Sequence, residues 1–273
     1  MGGCCATETE VQNERLENIG GIARAEKNAS AMGINKASTA VEDPTAGRKK
    51  KYAKNKPIVL GYWKIRGLAQ PIRYLLEYIE HPYQDCLYEQ GDAPNFSIEC
   101  WTSVKNTLGL DFPNIPYIID DDTKLTDCYA IMIYLSTKYA PELLGQTPEQ
   151  KGEIDMIYSQ LKDIKSAITG PCYVGVDRKI LMATAKNKLA PIVKYLGKKD
   201  FLTGDTLTFI DFYMLEMCDF VQFLTENEFF NENKAVQRYV KRMKNLKQIK
   251  RYIKSERYIE KPFNNKVAKI NNM

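Results

Sequence analysis

The stretch IVLGYWKIRGLAQPIR, residues 58–73, decides the fold. Its first half is an apolar, β-favouring run that ends in Tyr62-Trp63. The chain then turns through Gly67 and restarts at Pro71 as an amphipathic helix. That order places a tyrosine hydroxyl at the tip of a strand, facing the N-terminus of the next helix. A phenolic donor beside a positive helix end suits an anion, a thiolate included. Taken alone, the same order equally describes an ordinary β-α unit whose Tyr62 merely packs, because a fold-level pattern does not fix function.

Working outward, residues 57–139 alternate strand and helix signals. After the strand at 58–62 come a helix at 70–80, a strand near 84–88, a loop at 91–96 and a short helical region holding Trp101 and Lys105. The runs 115–120 and 124–126 flank an acidic turn, as in a hairpin. Asp127 then opens a helix that runs to about Tyr139. Such alternation predicts a small α/β sandwich. Pro141 and Pro148 bracket a linker over 140–149. The pattern beyond it is helical, with segments at about 150–170, 178–196, 209–225 and 234–253 in a domain spanning 150–273. Thr208 with Asp211 three residues later is a capping pattern. Thr208→Ala is expected to cost about 1 kcal/mol of stability and little chemistry.

Residues 1–56 are different in kind. They carry few large apolar side chains and cannot bury enough surface to fold alone. Ten Lys/Arg against seven Asp/Glu give this segment +3, and GRKKKYAKNK (47–56) forms a basic hinge into the body. The body itself is nearly balanced, with 29 cations against 27 acids, which argues against broad nucleic-acid binding. No run is long enough to cross a bilayer, and nothing at the start is laid out as a secretory signal. Seven cysteines, an odd number without metal-ligand spacing apart from the adjacent Cys4-Cys5, read as reduced thiols in a cytosolic protein. No metal site is expected. The single histidine, His81, precedes Pro82 in a loop-like stretch and reads as a surface residue.

From residue 57 onward the chain closely resembles a mu-class glutathione transferase. The matching segments are LGYWKIRGL (60–68), PIRYLLEY (71–78), GDAP (91–94), LGLDFPNIPY (108–117), AIM (130–132), TFIDF (208–212) and SERY (255–258). They keep their order and nearly their spacing over about four-fifths of the chain. GDAP resembles the insertion that distinguishes the mu class. The resemblance implies a thioredoxin-like α/β N-terminal domain followed by an all-α helical domain, the glutathione transferase fold, here preceded by a largely irregular extension. It also implies glutathione as co-substrate, no further cofactor, a hydrophobic electrophile, a homodimer and a role in detoxification.

A transferase of this kind must ionise a thiol that is only a few per cent thiolate at neutral pH. Lowering its pKa by about two units takes roughly 2.7 kcal/mol of preferential thiolate stabilisation. By resemblance Tyr62 is the hydroxyl donor, and Tyr173 assists the electrophile. Trp63 and Leu68 lie beside the ligand by the same resemblance. Trp101, Lys105 and Asn114 hold the glycyl end, and Ile115, before the family's cis Pro116, offers its backbone to the cysteinyl unit. A packed Trp101 with a solvated Lys105 is the plainer alternative for that pair. Leu68 and Tyr173, with the segment near Phe263, are expected to line an apolar electrophile pocket. Asp163 matches an aspartate that reaches the ligand's ammonium across the dimer interface, and Phe112 matches the aromatic key inserted between subunits.

The sequence departs from the pattern at the γ-glutamyl end. Asp127 and Cys128 stand where the family has glutamine and serine. Loss of the serine hydroxyl removes one hydrogen bond, about 1 kcal/mol, and is expected to weaken glutathione binding without abolishing it. Ile98 and Ile133 replace two family arginines. At the other terminus, Met1-Gly2-Gly-Cys4-Cys5 resembles a dual acylation site, myristate on Gly2 and palmitate on Cys4 or Cys5, although Ala6 stands where Ser or Thr is preferred. One chain holds weakly, whereas two chains, or one plus the basic cluster at 48–51, hold stably. The leading expectation is a dimeric transferase tethered to a membrane surface or a larger assembly by its N-terminal arm. Its rival is a catalytically weak adaptor subunit that keeps the fold.

Overall fold

The computed structural model describes Tyr52 and residues 55–272, all inside one compact unit, Pro44–Met273. Strand β1 (Ile58–Trp63) leads to helix α1 (Gln70–Ile79), strand β2 (Tyr83–Tyr88) and the short helix α2 (Glu99–Thr102). The hairpin β3 (Tyr117–Asp120) and β4 (Thr123–Thr126) follows, then helix α3 (Cys128–Tyr139). After a 3-10 turn at Pro141–Leu143 the described chain is helical: α4 (Pro148–Val174), α5 (Arg178–Leu196), α6 (Phe209–Leu224), α7 (Glu228–Glu232), α8 (Lys234–Asn245) and α9 (Lys247–Ile253). This is the thioredoxin-like sheet plus helical domain that the resemblance implies.

The sheet order is β2-β1-β3-β4. Strands β1 and β2 run parallel, with Tyr62 opposite Leu87 and Trp63 opposite Tyr88. Strand β3 is antiparallel to β1, with Gly61 opposite Tyr117, and Tyr117 also faces Thr126 of β4. This register brings the ends of β1, β2 and β4 and the start of β3 to one end of the sheet. Tyr62, the Ile115-Pro116 segment and the start of α3 therefore meet there, although up to 66 positions separate them in the chain. Central β1 alternates Ile58 and Leu60, both fully buried, with side chains covered on the other face. Helix α1 is buried along its whole length and packs against α6, α9 and α3. A smaller cluster of Tyr88, Trp101, Leu110 and Tyr117 sits under α2.

Helix α6 starts as its sequence predicts. The Thr208 N–H and hydroxyl both donate to Asp211 Oδ2 (2.9 and 3.1 Å). The Asp211 carboxylate does more than cap, because Oδ1 also accepts from the Leu202 N–H (2.9 Å) and the Tyr239 hydroxyl (3.0 Å). Burial nevertheless pushes its pKa up to about 6, against the pull of those donors.

Three expectations need correction. His81 is not a surface residue: it is 3% exposed and wedged between the rings of Tyr52 and Tyr139, at 5.2 and 4.4 Å. Its Nδ1 donates to the Pro82 carbonyl (2.9 Å), so Nε2 accepts from Asn55 Nδ2 (3.3 Å), and burial lowers its pKa. Tyr52, assigned to the extension by a boundary at 56/57, is itself buried and donates to the Tyr139 carbonyl (3.1 Å). The single helix expected at 234–253 is two helices, broken at Leu246 with φ −54° and ψ 127°. Buried positions 236, 239, 240 and 243 repeat with a helical period, but the next buried set is 248, 249 and 252. A continuous helix would turn the solvated Lys247 inward, and the break restores the phase. Gly2, Cys4, Cys5 and the 48–51 cluster lie outside the described residues. Among the described residues no helix is long and apolar enough to cross a membrane.

Candidate functional site

Tyr62 ends β1 with its ring buried and its hydroxyl accepting a hydrogen bond from the Leu68 N–H (3.0 Å). The turn that delivers this N–H requires glycine. Gly67 has φ +46°, and a Cβ there would fall 2.6 Å from the Tyr62 oxygen. Burial pushes the Tyr62 pKa well above the ordinary phenol value, outweighing the Leu68 N–H that lowers it. The group is therefore a neutral phenol with one lone pair engaged and its proton free to be donated.

A cavity of about 320 Å³ opens beside this hydroxyl. Leu68, Tyr173 and Phe263, expected around an electrophile, do line it together with Tyr62. Tyr173 repeats the Tyr62 arrangement, since its oxygen accepts from the Asn265 N–H (3.3 Å) and leaves the phenolic proton available. The wall is less apolar than expected, because Lys165, Thr169, Glu216 and Asn264 also face it. Sequence reading missed these residues. The signal was available in the four-residue repeat Lys165, Thr169, Tyr173 on α4, which keeps one side chain per turn on a single face.

The other expected residues lie outside this cavity, around the same end of the sheet. Trp101 is 6% exposed, stacked on Tyr117 at 5.9 Å and edge-on to Tyr88 at 5.2 Å. Trp63 meets Tyr88 edge-on. Lys105 is beyond the end of α2, in a turn whose N–H donates to the Trp101 carbonyl (3.0 Å), so the helical face expected to carry both is one turn of backbone. Asn114 is exposed and its Oδ1 takes the Ile115 N–H (2.9 Å). Pairing of that N–H with a ligand requires the Asn114 side chain to turn away. The Ile115–Pro116 bond is cis.

At the start of α3, Asp127 stands at φ 78° and its Oδ1 accepts from the Tyr129 and Ala130 N–H groups (2.9 and 3.1 Å). The carboxylate thus caps its own helix. The Cys128 side chain, 3% exposed, points inward with its thiol toward Met132 Sδ (3.8 Å). Burial raises its pKa far above a reactive thiol's. Only its backbone N–H remains to serve a ligand. Asp163 is exposed on α4, away from the cavity, and Phe112 is 80% exposed. Among the described residues no group of three metal-ligating side chains occurs, and Cys86, Cys100, Cys128, Cys172 and Cys218 are all free.

Arg66, quoted only as part of a motif, proves to be the tie between sheet and helical domain. Fully buried, it donates to Glu216 (2.5, 3.0 and 3.3 Å), Asp219 (2.7 Å), the hydroxyls of Tyr258 (2.6 Å) and Tyr74 (3.1 Å) and the Ile259 carbonyl (3.1 Å). It sits in the loop between Tyr62 and Leu68 and so fixes the turn that orients the Tyr62 hydroxyl.

Comparison with known proteins gives a consistent result. The family model described as glutathione S-transferase, N-terminal domain, matches residues 58–137, and that described as glutathione S-transferase, C-terminal domain, matches residues 162–256. Glutathione S-transferase 2 of Gallus gallus is 37% identical over 209 residues, 75% of this chain and 93% of that protein. Glutathione S-transferase Mu 1 of Rattus norvegicus is 35% identical over 219 residues, 79% of this chain and 99% of that protein. The crystal structure of the glutathione S-transferase Blo t 8 superposes with a TM-score of 0.70 at 27% identity, over 78% of this chain and 99% of that one.

Proposed function

The chain belongs to the glutathione S-transferase family, and from that premise we propose that it conjugates the glutathione thiolate to hydrophobic electrophiles through Tyr62. The observation that carries the reading is the Tyr62–Leu68 hydrogen bond (3.0 Å). With that lone pair engaged, the hydroxyl proton is the group presented to an incoming sulfur. Hydrogen bonding to a thiolate is stronger than to a thiol, so the donor shifts the ligand's ionisation toward the nucleophile. The start of α1 adds its partial positive charge.

Binding of the tripeptide is divided among the surrounding elements. Lys105 and Trp101 take the glycyl carboxylate, with Asn114 beside them. The Ile115 backbone meets the cysteinyl unit, next to Trp63 and Leu68. The Cys128 N–H and the start of α3 take the γ-glutamyl carboxylate, and Asp127 stands close to the ammonium. Because Asp127 already occupies two N–H groups of α3, this end of the ligand is held less firmly than a hydroxyl-bearing site would hold it. Asp163 of a second copy of the chain completes the ammonium site, and Phe112, exposed on this one, is the key that joins the copies. Tyr173 donates its free proton to negative charge that develops on the electrophile. The N-terminal arm, with Gly2, Cys4 and Cys5, tethers the enzyme to a membrane surface. Gly2→Ala is then expected to move it from the membrane pellet to the soluble fraction, and an unchanged distribution counts against acylation.

Tyr62→Phe tests the catalytic reading. The variant is expected to lower turnover at least tenfold and to abolish the ultraviolet thiolate band of bound glutathione, with glutathione affinity nearly unchanged. Equal turnover in variant and wild type refutes the assignment.

A further inference from the structure

We propose that Lys165, Thr169 and Asn264 form a polar corner of the electrophile cavity that selects substrates bearing a carboxylate. The inference rests on the transferase reading, since the cavity is the one beside Tyr62.

An ammonium carries three N–H donors. Lys165 Nζ, half-buried on α4, uses one of them on the Gly67 carbonyl (3.2 Å) and lies 5.5 Å from the centre of the Phe220 ring. Burial lowers the Lys165 pKa, and the acidic side chain that shares the cavity wall, Glu216, favours the ammonium through space but forms no ion pair with it. The Glu216 carboxylate is held by Arg66 at 2.5–3.0 Å, and among the described residues Lys165 forms no ion pair within 4.0 Å. One turn along the same helix face, Thr169 Oγ1 is buried with no hydrogen-bond partner. Across the cavity Asn264, 4% exposed, leaves its Nδ2 buried and unpartnered. Each such orphan costs free energy in the unliganded fold, as does a cation withdrawn from water.

Three independent side chains therefore leave hydrogen-bonding capacity unused on one cavity, and among the described residues only Ser136 Oγ and Arg178 Nε are further buried side-chain polar atoms without a partner. An ammonium and an amide N–H₂ can only donate, and a threonine hydroxyl can. The complementary ligand is an acceptor with several lone pairs and a negative charge, and a carboxylate offers both. A neutral aromatic electrophile would leave the same groups orphaned. The chemistry on the electrophile is unchanged. With 4-chloro-3-nitrobenzoate, for example, the glutathione sulfur forms a C–S bond at the chlorinated carbon and the electron pair passes onto the nitro group. Chloride then leaves with the C–Cl pair, and the thiol proton goes to solvent. The carboxylate takes no part beyond anchoring the ring.

The test compares 4-chloro-3-nitrobenzoate with its methyl ester on the full chain, each kcat/KM divided by the uncatalysed rate with glutathione. A charge-assisted hydrogen bond predicts an acid-over-ester preference of about 10–100-fold. Lys165→Met is expected to collapse that ratio toward one, and Lys165→Arg to restore most of it. Should Lys165→Met fail to fold, Thr169→Val carries the same comparison with a loss of about 3–10-fold in the ratio. Conjugation of both compounds without preference for the acid overturns the corner while leaving the transferase reading intact. If neither compound is conjugated, calorimetric titration with 4-nitrobenzoate and its methyl ester, without glutathione, still decides. Binding of the acid alone, lost in Lys165→Met, upholds the corner although the transferase reading has failed, and no binding overturns both.

Discussion

Replacing Arg66 by methionine removes the guanidinium that joins the sheet domain to the helical domain while keeping an unbranched apolar stem. Seven hydrogen bonds to five residues disappear, and the Glu216 carboxylate, 1% exposed, is left without its ion-pair partner. Asp219 fares better, because its other oxygen keeps Lys244 at 2.7 Å. Removing one partner of a buried ion pair costs about 3–5 kcal/mol, mainly the penalty of the charge left behind. Against a typical total stability of about 5–15 kcal/mol this is a large fraction, and it corresponds to a fall of roughly 10 °C in Tm for a chain of this size. Urea unfolding at fixed protomer concentration, followed by the fluorescence of Trp63 and Trp101, measures it. Adding Glu216→Leu to Arg66→Met is expected to recover at least about 1 kcal/mol, since the orphaned carboxylate is then gone. A loss below about 1 kcal/mol for Arg66→Met, or no recovery in the double variant, refutes the view that this cluster ties the domains together.

Two further expectations concern pH and assembly. Because Asp211 titrates near pH 6 in the fold and near 3.9 when unfolded, its stabilising effect is complete below about pH 3.9 and is lost as pH rises through 6. The difference in unfolding free energy between wild type and Asp211→Asn should therefore shift by roughly 2 kcal/mol against wild type between pH 4 and 7, and a pH-independent difference contradicts the burial argument. Phe112→Ser should weaken self-association more than a hundredfold in sedimentation equilibrium, from about 3 kcal/mol of lost burial over two equivalent sites; an unchanged dimer constant removes Phe112 from the interface.

The segment 58–73 disclosed the β-turn-α unit, and the alternation beyond it disclosed the sandwich, because strand period, helix period and capping are set by neighbours within a few residues. The position of Tyr62 was legible in the same way, since its partner Leu68 is six positions away, whereas its assignment as a thiol donor came from the resemblance alone. The Thr208–Asp211 cap is equally local. Charge balance, by contrast, said nothing about where a charge would be buried. Arg66 reaches Glu216 across 150 positions, His81 is buried by Tyr52 and Tyr139, and Asn264 faces Lys165 only because the chain's last segment folds back over α4 and α6. The inward thiol of Cys128 and the Asp127 carboxylate turned onto its own helix likewise depend on backbone angles that residue identity leaves open. The sequence by itself determined the elements, their order and the place of Tyr62 at a strand tip before a helix, since these follow from local periodicity and short-range hydrogen bonds. Tertiary structure alone decided which charges are paired and which remain free to meet a ligand, because pairing depends on distances between residues that the chain brings together only once it is folded.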